Sequence, residues 1–316
     1  MKKILVIGAN GQIGTELVQA FYKKIGQDNV IAADIRDLDN GNNGPFELID
    51  ATNKDKIEEI IKKYNVDTVF HLAALLSATG EQNPQLCWNL NLGSLYNVLE
   101  LARQYKLRVY CPSSMAAFGP TTPKDNVPQQ TVLEPNTMYG CTKVAGELLS
   151  NYYVSKYGVD IRGLRYPGII SNKALPGGGT TDYAVDIYYQ AVKTGHFECF
   201  VSKDTILPMM YMPDCVRGTI ELMEAPLEKL TEHAGYNMAA ISFSAEELVA
   251  SVKKYIPELT VEYKPDYRQA IADSWPRSID DSKARKDWGW KPEFDLDAMT
   301  QNMLAAIREK HSRGEI

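Results

Sequence analysis

The 316-residue sequence predicts an α/β protein built on a doubly wound parallel sheet. Three observations carry that expectation. The chain opens with a wholly apolar run, Ile4-Leu5-Val6-Ile7, as expected for a strand buried on both faces. That run passes through a glycine turn into a helical stripe of Leu17, Val18 and Phe21. Similar short apolar runs return at residues 30–33, 68–70 and 107–111, with helical patterns between them and no repeat or low-complexity linker.

The first turn reads Gly8-Ala9-Asn10-Gly11-Gln12-Ile13-Gly14. Gly8 permits the tight turn, Gly11 lets a phosphate approach the backbone, and Gly14 lets the helix pack on the sheet. The N–H groups that open the helix are then free for a pyrophosphate. The second strand ends at Asp34, twenty residues past Gly14, where a carboxylate accepts both ribose hydroxyls of an adenosine. It repels a 2′-phosphate, so NAD is favoured over NADP, with Arg36 as the one nearby residue that pulls the other way. Asp50, after Phe46-Glu47-Leu48-Ile49, is expected on the adenine side. Asn53 is placed to cap a helix whose Ile57, Ile60, Ile61 and Tyr64 form one apolar stripe. The strand at 68–74 ends in small residues over which a dinucleotide can lie. A long helix is predicted at about 84–105, carrying Asn91, and another strand at 107–111.

That last strand runs into Pro112-Ser113-Ser114, and Tyr139-Gly140-Cys141-Thr142-Lys143 follows at the start of a helix. Tyr139 and Lys143 stand at i and i+4, on one helical face. Oxidising an alcohol requires removing the hydroxyl proton as hydride leaves carbon, and a tyrosine is a poor base at its ordinary pKa of about 10. Making it a base near neutrality takes about 4 kcal/mol of selective phenolate stabilisation. A cation about 4 Å away supplies that much at an effective dielectric near 20. Lys143 is the cation at the right spacing, and Ser114 is suited to hold the substrate oxygen, with Ser113 as the fallback.

With Gly8, Gly11, Gly14, Asp34, Asp50, residues 71–74, Asn91, Ser114, Tyr139 and Lys143 in this order, the sequence resembles the extended short-chain dehydrogenases/reductases. The likeness continues in Arg165-Tyr166-Pro167-Gly168 and Asp287-Trp288-Gly289-Trp290-Lys291-Pro292. It implies a Rossmann-type domain at 1–170, with segments at about 205–240 returning to it, and a smaller mixed α/β substrate lobe over 171–316. It also implies a homodimer formed through two long helices of each subunit. Cofactor contacts are expected from Gly8, Gly11, Gln12, Ile13, Gly14, Asp34, Ile35, Arg36, Asp50, Ala51, Leu72, Ala73, Ala74, Asn91, Tyr139, Lys143, Tyr166 and Pro167.

Within that group, Leu76-Ser77-Ala78-Thr79-Gly80-Glu81, residues 176–183, residues 207–212 and Trp275-Pro276-Arg277-Ser278 are similar to the threonine-oxidising branch. The resemblance implies L-threonine as substrate, held by Ser77, Ser113, Ser114, Tyr139, Gly179, Thr180, Thr181, Asp182 and Trp275. Three glycines before Thr180-Thr181 offer exposed N–H donors for a carboxylate, and Asp182 or Glu81 is placed to face an ammonium. Two plainer roles stay open: a linker at 177–179, and Thr180 or Thr181 as a helix cap. A nucleotide-sugar epimerase and a non-catalytic NAD sensor are the competing functions; the sensor has no use for a Tyr–Lys pair.

Composition narrows the alternatives. Apolar residues make up 44% and charged residues 23%, the ordinary soluble balance. A net charge of −6 with no Lys/Arg-rich run argues against a nucleic-acid partner. Five cysteines (87, 111, 141, 199, 215) and four histidines (71, 196, 233, 311) form neither a C-x-x-C pair nor a metal-binding cluster. The thiols are expected to be mostly small buried hydrophobes in a reducing, cytoplasmic setting. No run is long enough to span a bilayer, and Met1-Lys2-Lys3 leads straight into a strand, leaving no room for a signal peptide. Met209, Met210 and Tyr211 read as packing, and Asp214 as a helix cap. Ser244 to Glu247 reads as a capping box, residues 295–311 as a closing helix, and His196, His233 and His311 as surface or loop positions.

Overall fold

The computed structural model describes residues 1–37, 43–173 and 179–316. The first strand, β1 (Ile4–Ile7), is buried at every position and lies between β2 (Val30–Asp34) and β4 (Thr68–His71), parallel to both. β3 (Phe46–Leu48) extends the sheet beyond β2. On the other side come β5 (Arg108–Tyr110) and, after the short β6 (Ser113–Ser114), β7 (Ile161–Arg162). Among the described residues the largest sheet therefore has six strands, in the order β3-β2-β1-β4-β5-β7. The strand order reverses between β1 and β4, which opens a crevice at their carboxyl ends.

Successive side chains of β1 point to opposite faces, and two cores form accordingly. Ile4 and Val6 join Leu17, Val18 and Phe21 of α1 (Gln12–Ile25). Leu5 and Ile7 join Ile57, Ile60 and Ile61 of α2 (Lys54–Tyr64). α2 begins as its sequence foretells, with the Asn53 side chain accepting the Lys56 N–H at 3.0 Å.

The predicted 84–105 helix is a composite. After α3 (Ser77–Gln82), α4 (Pro84–Trp88) runs through a π-helical turn, Asn89–Gly93, into α5 (Ser94–Tyr105). Such widened turns cluster at functional sites, and this one carries Asn91. α6 (Met138–Tyr157) is capped by Thr137, whose hydroxyl accepts the Gly140 N–H at 3.0 Å, and stops at Gly158 in the left-handed conformation.

β8 (Leu164–Tyr166) pairs with β6, and β9 (Gly168–Ile170) pairs with β11 (Ile206–Tyr211); α7 (Tyr183–Thr194) and β10 (His196–Cys199) lie between them in sequence. α8 (Met212–Glu224) packs against α1. β12 (Tyr236–Asn237) completes a small sheet with β8 and β6, and β13 (Ile241–Ser244) one with β11 and β9. Further on, α9 (Ala245–Lys253) starts from the expected capping box, and β14 (Thr260–Tyr263) pairs with β10. α10 (Arg268–Ser274), α11 (Ser282–Trp288) and α12 (Leu296–Ser312) finish the chain. α7, α9 and α12 share a third core with Tyr188, Phe243, Leu248, Met303 and Ile307.

Some minor expectations change. Asp214 is not the cap of α8, which starts after Tyr211. It is fully buried and accepts the N–H groups of Glu293 and Phe294, tying the C-terminal segment to α8. His196 is exposed, as expected of a surface position, and opens β10. Cys87, Cys111, Cys199 and Cys215 are buried as expected, and Cys141 is exposed. Among the described residues, no helix is long and apolar enough to cross a membrane.

Candidate active site

The crevice at the β1/β4 switch holds a cavity of about 320 Å³. Its walls include Gly8, Gly11, Asp34, Ile35, Arg36, Asp50, Ala51, Leu72, Ala73 and Ala74, all expected from the sequence. The turn beneath it is a cradle that side chains would fill. Gly8 has φ +86°, and a Cβ there would lie 2.7 Å from the Ala73 nitrogen. A Cβ on Gly14 would lie 2.2 Å from the Gly8 carbonyl oxygen, so Gly14 acts in packing rather than on the cavity wall. α1 begins at Gln12 with no side-chain cap, which leaves its first N–H groups for an anion.

Asp34 is buried at the end of β2 and accepts the N–H of Asn10 at 2.9 Å and that of Arg36 at 3.1 Å. A carboxylate has about four acceptor positions, so these two bonds leave it capacity for a ribose. The Arg36 guanidinium is 62% exposed and 3.9 Å from Asp34, on the rim rather than inside. These features fit an adenine dinucleotide: Asp34 and Asp50 for the adenosine, and the 8–14 turn for the pyrophosphate.

A second cavity, of about 150 Å³, shares Leu72 and Ala74 with the first. The remaining expected cofactor residues, apart from Gly14 and Asn91, line it: Gln12, Ile13, Tyr139, Lys143, Tyr166 and Pro167. All nine expected substrate residues line it too, namely Ser77, Ser113, Ser114, Tyr139, Gly179, Thr180, Thr181, Asp182 and Trp275. The first two turns of α6 supply Tyr139 and Lys143. The lysine ammonium lies 5.2 Å from the centre of the tyrosine ring and donates to the Pro112 carbonyl at 2.8 Å. That carbonyl sits just ahead of β6, so one bond fixes the lysine against the strand end that carries the serines. Ser113 is buried and donates to Glu147 at 2.5 Å, whereas Ser114 is partly exposed on the cavity side and accepts the Ala116 N–H at 3.2 Å. The geometry therefore favours Ser114 as the free hydroxyl.

The far wall comes from the 179–182 segment. The Thr180 and Ser77 hydroxyls are 3.1 Å apart, and Asp182 accepts the Gly179 N–H at 2.8 Å. Neither Thr180 nor Thr181 caps α7; Asp182 occupies that position, without a side-chain bond to the helix. Gly177 and Gly178, part of the predicted glycine loop, lie outside the described residues.

Two expectations change here. Glu81 does not reach the cavity: its carboxylate accepts the Met138 N–H at 2.5 Å, holding the start of α6. Asn91 faces neither large cavity. It lines a small one of about 30 Å³, with its amide bonded to Leu75 and to Thr142 of α6. It is a tie between the π-helical turn, the loop after β4 and α6. Sequence reasoning missed the apolar walls Leu76, Met115 and Ile169. Their only signal is position at a strand end or next to a named motif. It also missed His71, which is fully buried with Nε2 2.8 Å from the Ser94 hydroxyl. Burial, reinforced by the nearby Lys143 charge, pushes its pKa down to about 3, so the ring is neutral.

The arrangement offers a hydroxyl, a phenol and a cation around one point, beside a dinucleotide cleft. A family model described as "NAD dependent epimerase/dehydratase family" matches residues 4–239. An L-threonine dehydrogenase from Phytophthora infestans is 51% identical, with a TM-score of 0.95 over 98% of this chain and 99% of its own. The holo form of a GalE-like L-threonine dehydrogenase from Cupriavidus necator is 52% identical, with a TM-score of 0.94 over 96% and 99% of the two chains. A monomeric L-threonine 3-dehydrogenase of metagenomic origin is 50% identical, with a TM-score of 0.95 over 97% and 99%.

Proposed function

The chain belongs to the NAD dependent epimerase/dehydratase family, and from that premise we propose that it oxidises the side-chain hydroxyl of L-threonine to 2-amino-3-oxobutanoate. The observation that carries this is the convergence of Ser114, Tyr139 and Lys143 with Ser77, Thr180, Thr181 and Asp182 on one cavity of about 150 Å³. That is small beside the roughly 300–1,000 Å³ of sites for larger ligands, and it suits a free amino acid better than a nucleotide sugar. Near full-length likeness to L-threonine dehydrogenases supports the same substrate.

A nicotinamide cofactor held by the residues of the first cavity and by Lys143 would supply the acceptor for a hydride. The chain's own residues do the rest. Ser114 holds the reacting oxygen, and Tyr139 takes the hydroxyl proton. Lys143 stabilises the phenolate from the next turn of α6. Thr180 and Thr181 hold the carboxylate, Asp182, braced by the Gly179 N–H, attracts the ammonium, and Trp275 closes the pocket.

Asp34, with Arg36 on the rim, supports NAD rather than NADP as the cofactor. Residues 1–170 with 205–240 form the cofactor domain, and 171–316 contribute mainly the substrate lobe; the packing of α8 on α1 supports that division. Exposed Leu86, Trp88, Tyr96, Leu148 and Tyr152 on α4, α5 and α6 support a homodimer through these helices. Light scattering of wild type and Leu148→Glu tests this, and a monomeric wild type removes it. Free thiols support a cytoplasmic location.

The substrate assignment is tested by following NADH absorbance after adding L-threonine, L-serine or a UDP-sugar to protein and NAD. Turnover with threonine well above serine, and none with the sugar, is expected. Turnover with the UDP-sugar alone would move the assignment to a sugar enzyme.

A further inference from the structure

Lys143 and Glu147 stand one turn apart on α6, at the spacing where lysine and glutamate ordinarily pair across a helix face. Both line the same small cavity of about 30 Å³ at the ends of β4 and β5. Yet they are not paired. Among the described residues Lys143 enters no ion pair; it donates to the Pro112 carbonyl and stays beside Tyr139.

Glu147 is held from another side. Arg165 of β8 grips it with two bonds, Nε to Oε1 at 2.8 Å and Nη2 to Oε2 at 2.6 Å. Ser113 adds a third at 2.5 Å. Arg165 is itself fixed by the Gln129 carbonyl and the Asn237 side chain, each at 3.1 Å. Both ion-pair partners are buried. The carboxylate also rests against Gly235, where a Cβ would lie only 2.6 Å from its carbon.

We propose that Arg165 is a positioning residue for proton transfer: by clamping Glu147 it keeps that carboxylate off Lys143 and leaves the ammonium directed at Tyr139. The proposal rests on the reading that Tyr139 and Lys143 form the proton-transfer pair. A carboxylate paired to Lys143 would cancel the positive potential that a phenolate requires, and inside a protein that cancellation is larger than in water. The bidentate geometry of arginine suits the task, because it both neutralises Glu147 and fixes the plane of its carboxylate. In the same stroke Ser113 is bonded to α6, so β6 and the adjacent Ser114 are held against the helix that carries Tyr139.

The test compares Arg165→Met, Arg165→Met/Glu147→Gln and wild type. Two quantities are read: the pH profile of L-threonine oxidation, and, without cofactor, the NMR signal of the Lys143 ammonium, assigned by its loss in Lys143→Met. Arg165→Met should shift that signal, lower kcat about 30-fold and move the acidic limb of the kcat profile up by about one pH unit. The double variant, with no carboxylate to capture the lysine, should recover to within about threefold of wild type and restore the signal. A double variant as impaired as the single one would overturn the proposal, since loss of packing affects both alike. So would an unshifted lysine signal in Arg165→Met. A wild type inactive on threonine counts against the substrate assignment, and the NMR comparison then decides the proposal alone. Should Arg165→Met fail to fold, Arg165→Lys keeps the charge but loses the two-pronged grip. It should shift the same signal by a smaller amount, and no shift would again overturn the proposal.

Discussion

The Ser77 and Thr180 hydroxyls meet at 3.1 Å although 103 residues separate them in the chain. Both side chains are buried, so this bond joins the start of α3 to the segment that leads into α7 and closes the far wall of the cavity of about 150 Å³. Removing one hydroxyl strands the other, at a cost of about 1–3 kcal/mol. Ser77→Ala and Thr180→Val are each expected to raise the KM for L-threonine about tenfold while leaving that for NAD within about twofold. Ser77→Ala/Thr180→Val should be little worse than either alone. Additive losses in the double variant would show that the two hydroxyls act separately.

Thr181 lines the cavity without a hydroxyl bond of its own among the described residues. Thr181→Ala should raise the KM for threonine much more than that for NAD, as measured by steady-state kinetics with each varied in turn. Equal increases would assign the 179–182 segment to the joint between lobes.

At the other end of the site, Asp34 is tied to the glycine turn by accepting the Asn10 N–H. Asp34→Asn keeps an acceptor for that N–H but loses the charge. It should raise the KM for NAD about tenfold and improve the NADP to NAD ratio of kcat/KM, with Arg36 on the rim to receive a 2′-phosphate. An unchanged ratio would remove Asp34 from cofactor discrimination.

What the sequence made legible follows from locality. The β1–α1 turn, Asp34 at the end of β2, and Tyr139 with Lys143 are each set by a few neighbouring residues, and each lies on a cavity wall where expected. The glutamates and Asn91 were harder, because their roles depend on partners remote in the chain. Glu81 looks like an acid for an ammonium until Met138 is found 57 residues away taking its carboxylate. Asn91 looks like a cofactor contact until the π-helical turn aims it at Leu75 and Thr142. Nothing local distinguishes Asp214 as an anchor for residues 293 and 294 rather than a cap. Ser113 and Ser114 alternate across β6, and only the Glu147–Arg165 pair tells which hydroxyl is engaged.

His71 makes the fold sensitive to acid. The folded protein keeps its ring neutral down to about pH 3, whereas in the unfolded chain it takes up a proton near the ordinary histidine value of 6.5. Between those values the unfolded state binds more protons, so stability falls as the pH is lowered, by roughly 1.4 kcal/mol per pH unit for this one group. Urea unfolding at pH 7, 5.5 and 4.5 should show a shallower decline for His71→Gln than for wild type. Parallel declines would place the acid sensitivity elsewhere.

Tyr183 is fully buried on α7, and its hydroxyl has no partner among the described residues. Removing an unsatisfied buried donor relieves its desolvation cost, so Tyr183→Phe should stabilise the protein by about 1 kcal/mol in denaturant unfolding. A loss of similar size would show that the hydroxyl is hydrogen-bonded in solution.

The proton-transfer role of Tyr139 is the centre of the account, and Tyr139→Phe tests it most directly. The substitution keeps the ring beside Lys143 and deletes only the group that takes the proton. Turnover of L-threonine should fall by about 1,000-fold or more, while calorimetry shows NAD binding within about threefold of wild type. Tyr139→Phe turning over threonine at a tenth of the wild-type rate or better, with NAD bound normally, would contradict the account.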